Sequence, residues 1–404
     1  MSWKTEGLKF VDRTVGALLC WALSRAQRTP ETRTLADLPP NGRLLAIRPG
    51  GLGDAILLVP ALRALRAAAP GRALDVVCES RNADVFRLAG VADRIFEFDT
   101  QPLRTLAALR RGPWALALDS EQFHHFSAVF AVLSRAPLRV GFGINPTRFG
   151  LYTHLVPYDT QGPEREQFMR LVTRIVACTE RDSHAEAAEA RLASRVSCPK
   201  SHAESAEDAE GDSGFVLCHA GGSVEAKRWP AEAFAVFCVK LHEKTGLPCH
   251  LVGGREDRSY AAEIVHEISA LTSNRETGDG RRDREIATSD WIRNLVGELS
   301  LEQTASACRK ASVLVGPDSG VAHLAVAVGT PAVVLFGPSD PDKWGPPAGR
   351  GAVVRVSVPC APCSMFGSVK PCRRRVCMER ILPEQVLAAV ETFLSGTSKK
   401  QPEP

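Results

Sequence analysis

Short apolar runs alternate along most of the chain with longer segments whose apolar residues recur at helical spacing. LLAIR (44–48) is apolar, PGGLGD interrupts it, and AILLVPALRALRAAAPG reads as a helix closed by Pro70-Gly71. ALDVVC (73–78) predicts the next strand, a helix follows near 82–89, and IFEF (95–98) and WALALD (114–119) continue the series. The rhythm lapses over 179–213, where Ala, Ser and Glu dominate and little apolar material is left to bury; this predicts a flexible linker or insertion. It resumes with GFVLCH (214–219) as a strand, AEAFAVFCVKLHEKTG as a helix ending at Gly246, and PCHLVGG as a strand running into a glycine turn. After a charged excursion over 274–290, SLEQTASACRKA, SVLVG, SGVAHLAVAVG and AVVLFG predict helix, strand, helix and strand. Strands with almost no polar interruption imply parallel sheets covered on both faces. The expected architecture is α/β with two Rossmann-like domains, 43–178 and 214–395, flanked by an N-terminal segment and linker (1–42) and a disordered tail (396–404).

The first thirty residues have a pattern of their own. Leu8, Phe10, Val11, Val15, Leu18, Leu19 and Ala22 recur at helical spacing, with Lys4, Lys9, Arg13, Arg25 and Arg28 among them. Such a helix suits a membrane interface, apolar face down and cations toward anionic headgroups. It equally suits the protein's own surface or a partner. Residues 29–42 form a polar, proline-containing linker. The start of the sequence lacks the uninterrupted apolar stretch and small-residue cleavage site of a signal peptide, and no run nears the roughly 18 apolar residues of a spanning helix.

Composition narrows the chemistry. Across 404 residues, 50 Lys and Arg against 46 Asp and Glu leave a net charge of only +4, and three Tyr offer few stacking platforms, so a nucleic-acid binder is not expected. Most of the 12 cysteines fall in apparent core segments, as small buried hydrophobes do in a reducing, cytoplasmic compartment.

Three strand-to-helix loops carry candidate chemistry, because ligands of open α/β sheets sit beyond the carboxyl ends of the strands. The first is Arg48-Pro49-Gly50-Gly51-Leu52-Gly53-Asp54. Its glycines admit a ligand close to the backbone at a helix N-terminus, which favours anions. A dinucleotide fingerprint fails, since Ile56 stands where the last glycine belongs, and no Gly-Lys-Ser/Thr of a P-loop follows. Asp54 is either a general base or an ordinary first-turn acid serving the helix dipole. The second loop, His219-Ala220-Gly221-Gly222-Ser223-Val224-Glu225-Ala226-Lys227-Arg228-Trp229-Pro230, offers small residues, a hydroxyl and a lysine: a phosphate cradle. In the third, Asp318 and Ser319 stand at the N-cap of an Ala/Val-rich helix, and His323 lies one turn on.

The segments GGLGDAILLVPALRAL, GGSVEAKRWPAEAF, LVGGREDR, NLVGELSLEQTASAC and VGPDSGVAHLAVAVGTPAVVLFGPSDPDKWGP resemble, in order and spacing from about 44 to 382, the motif set of the bacterial lipopolysaccharide heptosyltransferases of glycosyltransferase family 9. The resemblance implies a GT-B fold, two Rossmann-like domains facing a central cleft, and an inverting, metal-independent transfer. Heptose would move from ADP-heptose to a Kdo or heptose of the lipid A inner core, at the inner face of the cytoplasmic membrane. By the same resemblance Asp54 matches the catalytic base, with Gly51 and Gly53 in its loop. Ser223 and Lys227 match donor-phosphate ligands, and Lys227 also offsets charge on the leaving diphosphate. Asp257, or Glu256 beside it, matches the acid on the nucleotide ribose, and Leu299 falls at an adenine contact. Asp318, Ser319, Gly320 and His323 match the start of the helix that holds donor phosphate and sugar. The alternatives left open are another nucleotide sugar serving a cell-surface glycan, or a non-catalytic nucleotide-sugar-binding scaffold.

The chain departs from the family pattern at Ala220, where a proline is more usual, and in the length of 179–213 and 274–290. Asp340-Pro341-Asp342 is formally a D-x-D, but its Gly-Pro-rich setting makes turn formation the ordinary explanation. Cys360, Cys363, Cys372 and Cys377 have a spacing compatible with a structural zinc site, or are simply free thiols. No cofactor is expected for catalysis.

Overall fold

The computed structural model describes residues 10–26, 35–39, 41–177, 214–222, 224–273, 290–364, 366, 372 and 374–395. The expected linker at 179–213, nearly all of the charged excursion and the tail therefore lie outside the described residues, as does Ser223. The chain divides into two compact units, Met1–Glu204 and Ser205–Pro404.

In the first unit six strands, β1 (Arg43–Arg48), β2 (Leu74–Cys78), β3 (Arg94–Glu97), β4 (Trp114–Asp119), β5 (Leu138–Phe142) and β6 (His154–Val156), form one parallel sheet in the order β3-β2-β1-β4-β5-β6. β2 and β4 are buried along their whole length, the consequence of helices on both faces. Residues 10–26 are helical and run through a π-turn (Asp12–Gly16) into α1 (Ala17–Ala26). The other helices are α2 (Leu52–Ala68), α3 (Ser80–Ala89), α4 (Pro102–Arg111), α5 (His125–Leu133) and α6 (Glu164–Ala177). On one face α2 packs against α3 and α6; on the other, α5 packs against α4 and α1.

α1 is seated on its own unit. The buried Asp12 carboxylate accepts the backbone N–H groups of His125 at 3.0 Å and Phe126 at 2.8 Å, capping α5. Gly16 leaves space that a Cβ would take from His125, and the buried Cys20 joins the core beneath.

The second unit repeats the plan. Strands β7 (Val216–His219), β8 (Cys249–Val252), β9 (Ile292–Asn294), β10 (Val313–Pro317), β11 (Ala332–Leu335) and β12 (Gly351–Val354) pair in the order β12-β11-β10-β7-β8-β9. Counted from the first strand of each unit, both orders are the 3-2-1-4-5-6 of a doubly wound sheet. Helices α7 (Ala231–Thr245), α8 (Arg258–Ser273), α9 (Leu301–Lys310), α10 (Gly320–Ala327), α11 (Pro341–Trp344), α12 (Val376–Glu379) and α13 (Pro383–Leu394) complete it. One core lies under α7, α8 and α13 and a second under α9 and α10. Among the described residues no helix is long and apolar enough to cross a membrane.

Candidate active site

Each unit has a switch point, where its strand order reverses: between β1 and β4 in the first, between β7 and β10 in the second. The sequence-selected loops fall at these two places.

In the first unit, β1 ends at Arg48 beside Ser120, which follows β4. The guanidinium of Arg48, 3% exposed, donates to Ser120 O at 2.7 Å and lies 3.2 Å from Asp54 Oδ2 and 3.4 Å from Glu121 Oε2. Burial alone would lower the pKa of this arginine; the surrounding carboxylates, Asp54 first, raise it above its ordinary value. Burial would raise Glu121, and Arg48 holds it below the usual carboxylate range. Asp54 stands in the first turn of α2, whose N-cap is Gly51, and about a quarter of its side chain is exposed. Gly50 has φ +109°, a conformation that side-chain-bearing residues rarely adopt, and a Cβ there would sit 3.3 Å from the Arg48 guanidinium. Asn82 ties the loop down by donating to Arg48 O and Gly50 O, both at 3.2 Å. The buried Asp119 accepts from Glu121 N, Arg148 and Tyr152 and so fixes the turn that delivers Glu121.

In the second unit β7 leads into the Gly221-Gly222 turn and the short helix Glu225–Lys227. Lys227 Nζ donates to Asp318 Oδ2 at 2.6 Å, and both side chains are 9% exposed. Burial would raise Asp318; Lys227 and His323, the latter at 3.8 Å, bring it below its ordinary value. Ser319 caps α10, its Oγ accepting from Ala322 N at 3.4 Å. The N–H groups of Gly320 and Val321, in the first turn, have no intrahelical acceptor and suit an anion. Lys227, Asp318, Ser319, Gly320 and His323 thus come together; the placement of Ser223 lies outside the described residues.

Asp257 and Glu256 lie in the turn that follows β8. Asp257 is 3% exposed, accepts from Arg228 Nη2 at 3.0 Å and Gly254 N at 3.0 Å, and packs so closely on Gly221 that a Cβ there would clash. It pins two loops together, and Glu256, exposed in the same turn, is the carboxylate that faces solvent. Leu299 is half-buried at the rim of the core under α9 and α10. Asp340 caps α11 by accepting from Asp342 N at 3.0 Å, the turn role expected of it.

The thiols of Cys360, Cys363 and Cys372 are exposed and that of Cys377 is buried. Among the described residues these four are not gathered into a metal-sized group. The cluster that is gathered, with sulfurs within 4.8 Å of one another, is Cys218, Cys238 and Cys249, fully buried between β7, β8 and α7.

Glu121 is not among the residues the sequence singles out, and Arg48 opens the first candidate loop without a role of its own. The available signal was a charge at the last position of a buried strand, where burial demands a partner.

A model of glycosyltransferase family 9 (heptosyltransferase) matches residues 103–372, more than half of the chain. Over 131 residues the chain is 33% identical to lipopolysaccharide heptosyltransferase 2 of Salmonella typhimurium, a stretch covering 32% of this chain and 33% of that protein. The chain thus spans about a third of the length of the curated relatives it matches. The solved E. coli ADP-heptose LPS heptosyltransferase II superposes with a TM-score of 0.62 at 20% identity, over 88% of this chain and all of that one. E. coli heptosyltransferase WaaC, solved with ADP, gives 0.60 at 17% identity, over 87% of this chain and 99% of that one. These likenesses identify the fold as the GT-B type that the motifs implied. By the extent of the family match, this chain belongs to glycosyltransferase family 9, the heptosyltransferase family.

Proposed function

We propose that the chain is an inverting, metal-independent glycosyltransferase that moves heptose from ADP-heptose to a Kdo or heptose of the lipopolysaccharide inner core. The observation that carries this reading is the pair of polar clusters, each at the switch point of its own sheet: Arg48–Asp54–Glu121 in one unit and Lys227–Asp318 at the α10 N-terminus in the other.

Asp54 accepts the proton of the acceptor hydroxyl. That oxygen bonds to the anomeric carbon from the face opposite the diphosphate, the bond from carbon to the diphosphate oxygen breaks, and ADP leaves. Arg48, held in place by Ser120 O and Glu121, orients Asp54 through Oδ2. General-base help of this kind is worth about 10²–10⁴-fold. On the donor side Lys227 and the α10 N–H groups meet the negative charge that grows on the leaving diphosphate. Asp318 orients Lys227, and His323 and Ser319 border the sugar. The exposed Glu256, set by the buried Asp257, meets the ribose, and Leu299 meets the adenine. A lipid-linked acceptor places the protein on the inner surface of the cytoplasmic membrane.

The test is ADP release from ADP-heptose with heptose-free Kdo-lipid A, against UDP- and GDP-sugars as donors. Acceptor-dependent release from ADP-heptose alone, with inversion at the anomeric carbon by NMR, is expected. Preference for another donor, or retention of configuration, overturns the reading.

A further inference from the structure

The two helical layers of the first unit differ in charge. The layer of α2, α3 and α6 mixes signs and satisfies them with ion pairs such as Arg87–Asp84 and Arg170–Asp159. In the layer of α4, α5 and residues 10–26 the one acid is Asp12, and it is buried as the cap of α5. The outer surface of this layer instead carries exposed Arg13, Arg25, Arg104, Arg110, Arg111 and Arg135. The same elements expose large apolar side chains: Phe10 is 68% exposed, Leu18 69%, Trp21 58% and Leu103 82%. They are not loosely attached, since the helix bearing three of them is fixed by Asp12, Gly16 and Cys20. Arg25 stacks over the Trp21 ring at 3.7 Å, an arrangement that lets an indole enter an interface while its cation stays at headgroup level. Where α4 and α5 end, Arg110, Arg135 and Arg139 with Val132 and Leu133 line a cavity of about 380 Å³. The Arg139 guanidinium is tied to Leu151 O at 2.7 Å and Ala136 O at 2.9 Å, so it lends charge while the exposed Arg110 and Arg135 meet a phosphate, with Val132 and Leu133 beside an acyl chain.

We propose that this layer is a docking surface for an anionic lipid bilayer, with Phe10, Leu18, Trp21 and Leu103 entering the interface and the arginines, including the Arg110–Arg135–Arg139 cavity, taking lipid phosphates. The proposal sharpens the membrane placement given above and rests on that part of it alone. A neutral apolar partner would leave six exposed arginines without counter-charge, and a purely charged contact would leave Phe10, Leu18, Trp21 and Leu103 in water. A bilayer with anionic headgroups satisfies both at once.

The experiment is co-sedimentation of the full chain with phosphatidylglycerol/phosphatidylethanolamine vesicles and with pure phosphatidylcholine vesicles, at 50 and 500 mM salt. Two variants accompany the wild type: Leu18→Glu/Trp21→Glu, and Arg104→Glu/Arg110→Glu/Arg111→Glu. All these residues are exposed, and none belongs to the proposed catalytic or donor sites. The wild type should favour the anionic vesicles at least about tenfold and lose that preference at high salt, and each variant should lose at least about tenfold in affinity. Failure of the wild type to bind anionic vesicles, or wild-type binding by either variant, overturns the proposal. So does a stable dimer that dissociates in Leu18→Glu/Trp21→Glu, because a second copy would then cover the face. ADP binding, measured without vesicles on the same samples, should be equal in all three proteins. Its absence throughout, with vesicle binding intact, would count against the transferase reading and leave the docking surface standing.

Discussion

The Lys227–Asp318 pair is the place where stability and catalysis can be separated. Lys227 Nζ lies 2.6 Å from Asp318 Oδ2 with both side chains 9% exposed, so Lys227→Met strands a buried carboxylate with the His323 ring 3.8 Å away. Removing one partner of a buried pair costs about 3–5 kcal/mol, because the charge left behind keeps its desolvation penalty. For a unit of this size, 3 kcal/mol corresponds to a fall in Tm of roughly 6–12 °C. Lys227→Met/Asp318→Asn removes both charges, and its stability should return to within about 1 kcal/mol of the wild type. Its turnover should not return. If Lys227 carries charge stabilisation of the leaving diphosphate, kcat/KM stays about 10²–10³-fold down in the double variant. Calorimetric melting and acceptor-dependent ADP release on the four proteins of the cycle give both numbers. A single variant that melts with the wild type would refute the buried pair. A double variant that regains turnover would refute the catalytic role and leave Lys227 as a structural residue.

Gly50→Ala places a side chain at φ +109° and 3.3 Å from the Arg48 guanidinium; chemical denaturation should show about 1–2 kcal/mol of lost stability, with a larger loss in kcat than ADP binding would account for. Seating of residues 10–26 should depend on pH. Burial would raise Asp12, but His124 and the Phe126 and His125 N–H groups bring it to about 2 from 3.8, so its contribution is complete above the unfolded value and lost as pH falls through about 2. Burial would lower His124, but Asp12 and Glu121 raise it above 6.5, so its contribution is complete below 6.5 and lost as pH rises through the raised value. Hydrogen exchange in 10–26, corrected for intrinsic rates, should therefore speed up on the alkaline side, and His124→Gln should flatten that limb. EDTA should leave turnover unchanged; a loss of rate restored by a divalent ion would contradict the metal-independent scheme and return attention to Asp342 and the cysteines.

Much of the fold was legible because buried parallel strands announce themselves. WALALD coincides with β4 (Trp114–Asp119), and LLAIR lies within β1. Two of the edge strands did not: β6 (His154–Val156) and β9 (Ile292–Asn294) are three residues long and carry polar side chains, so no periodicity marks them, whereas the edge strand β3 shows as IFEF. α5 (His125–Leu133) is apolar nearly all round because α1 and α4 flank it, a situation that sequence spacing cannot distinguish from a strand. The candidate site was legible as residue types at strand ends and illegible as pairings. Lys227 and Asp318 stood out separately, 91 positions apart, and only the strand order brings them together. Glu121, and the pairing of Arg48 with it and with Asp54, were hidden for the same reason. An acid after a glycine turn looks alike in sequence whether or not it also braces its neighbours, as Asp257 braces Gly254 and Arg228.

The central claim is that Asp54 takes the proton of the attacking hydroxyl. Its most direct test is the single-turnover rate of Asp54→Asn with ADP-heptose and heptose-free Kdo-lipid A, alongside ADP-heptose affinity. The account predicts a rate lower by about 10²–10⁴-fold with donor affinity unchanged. A rate within a few-fold of the wild type would contradict it.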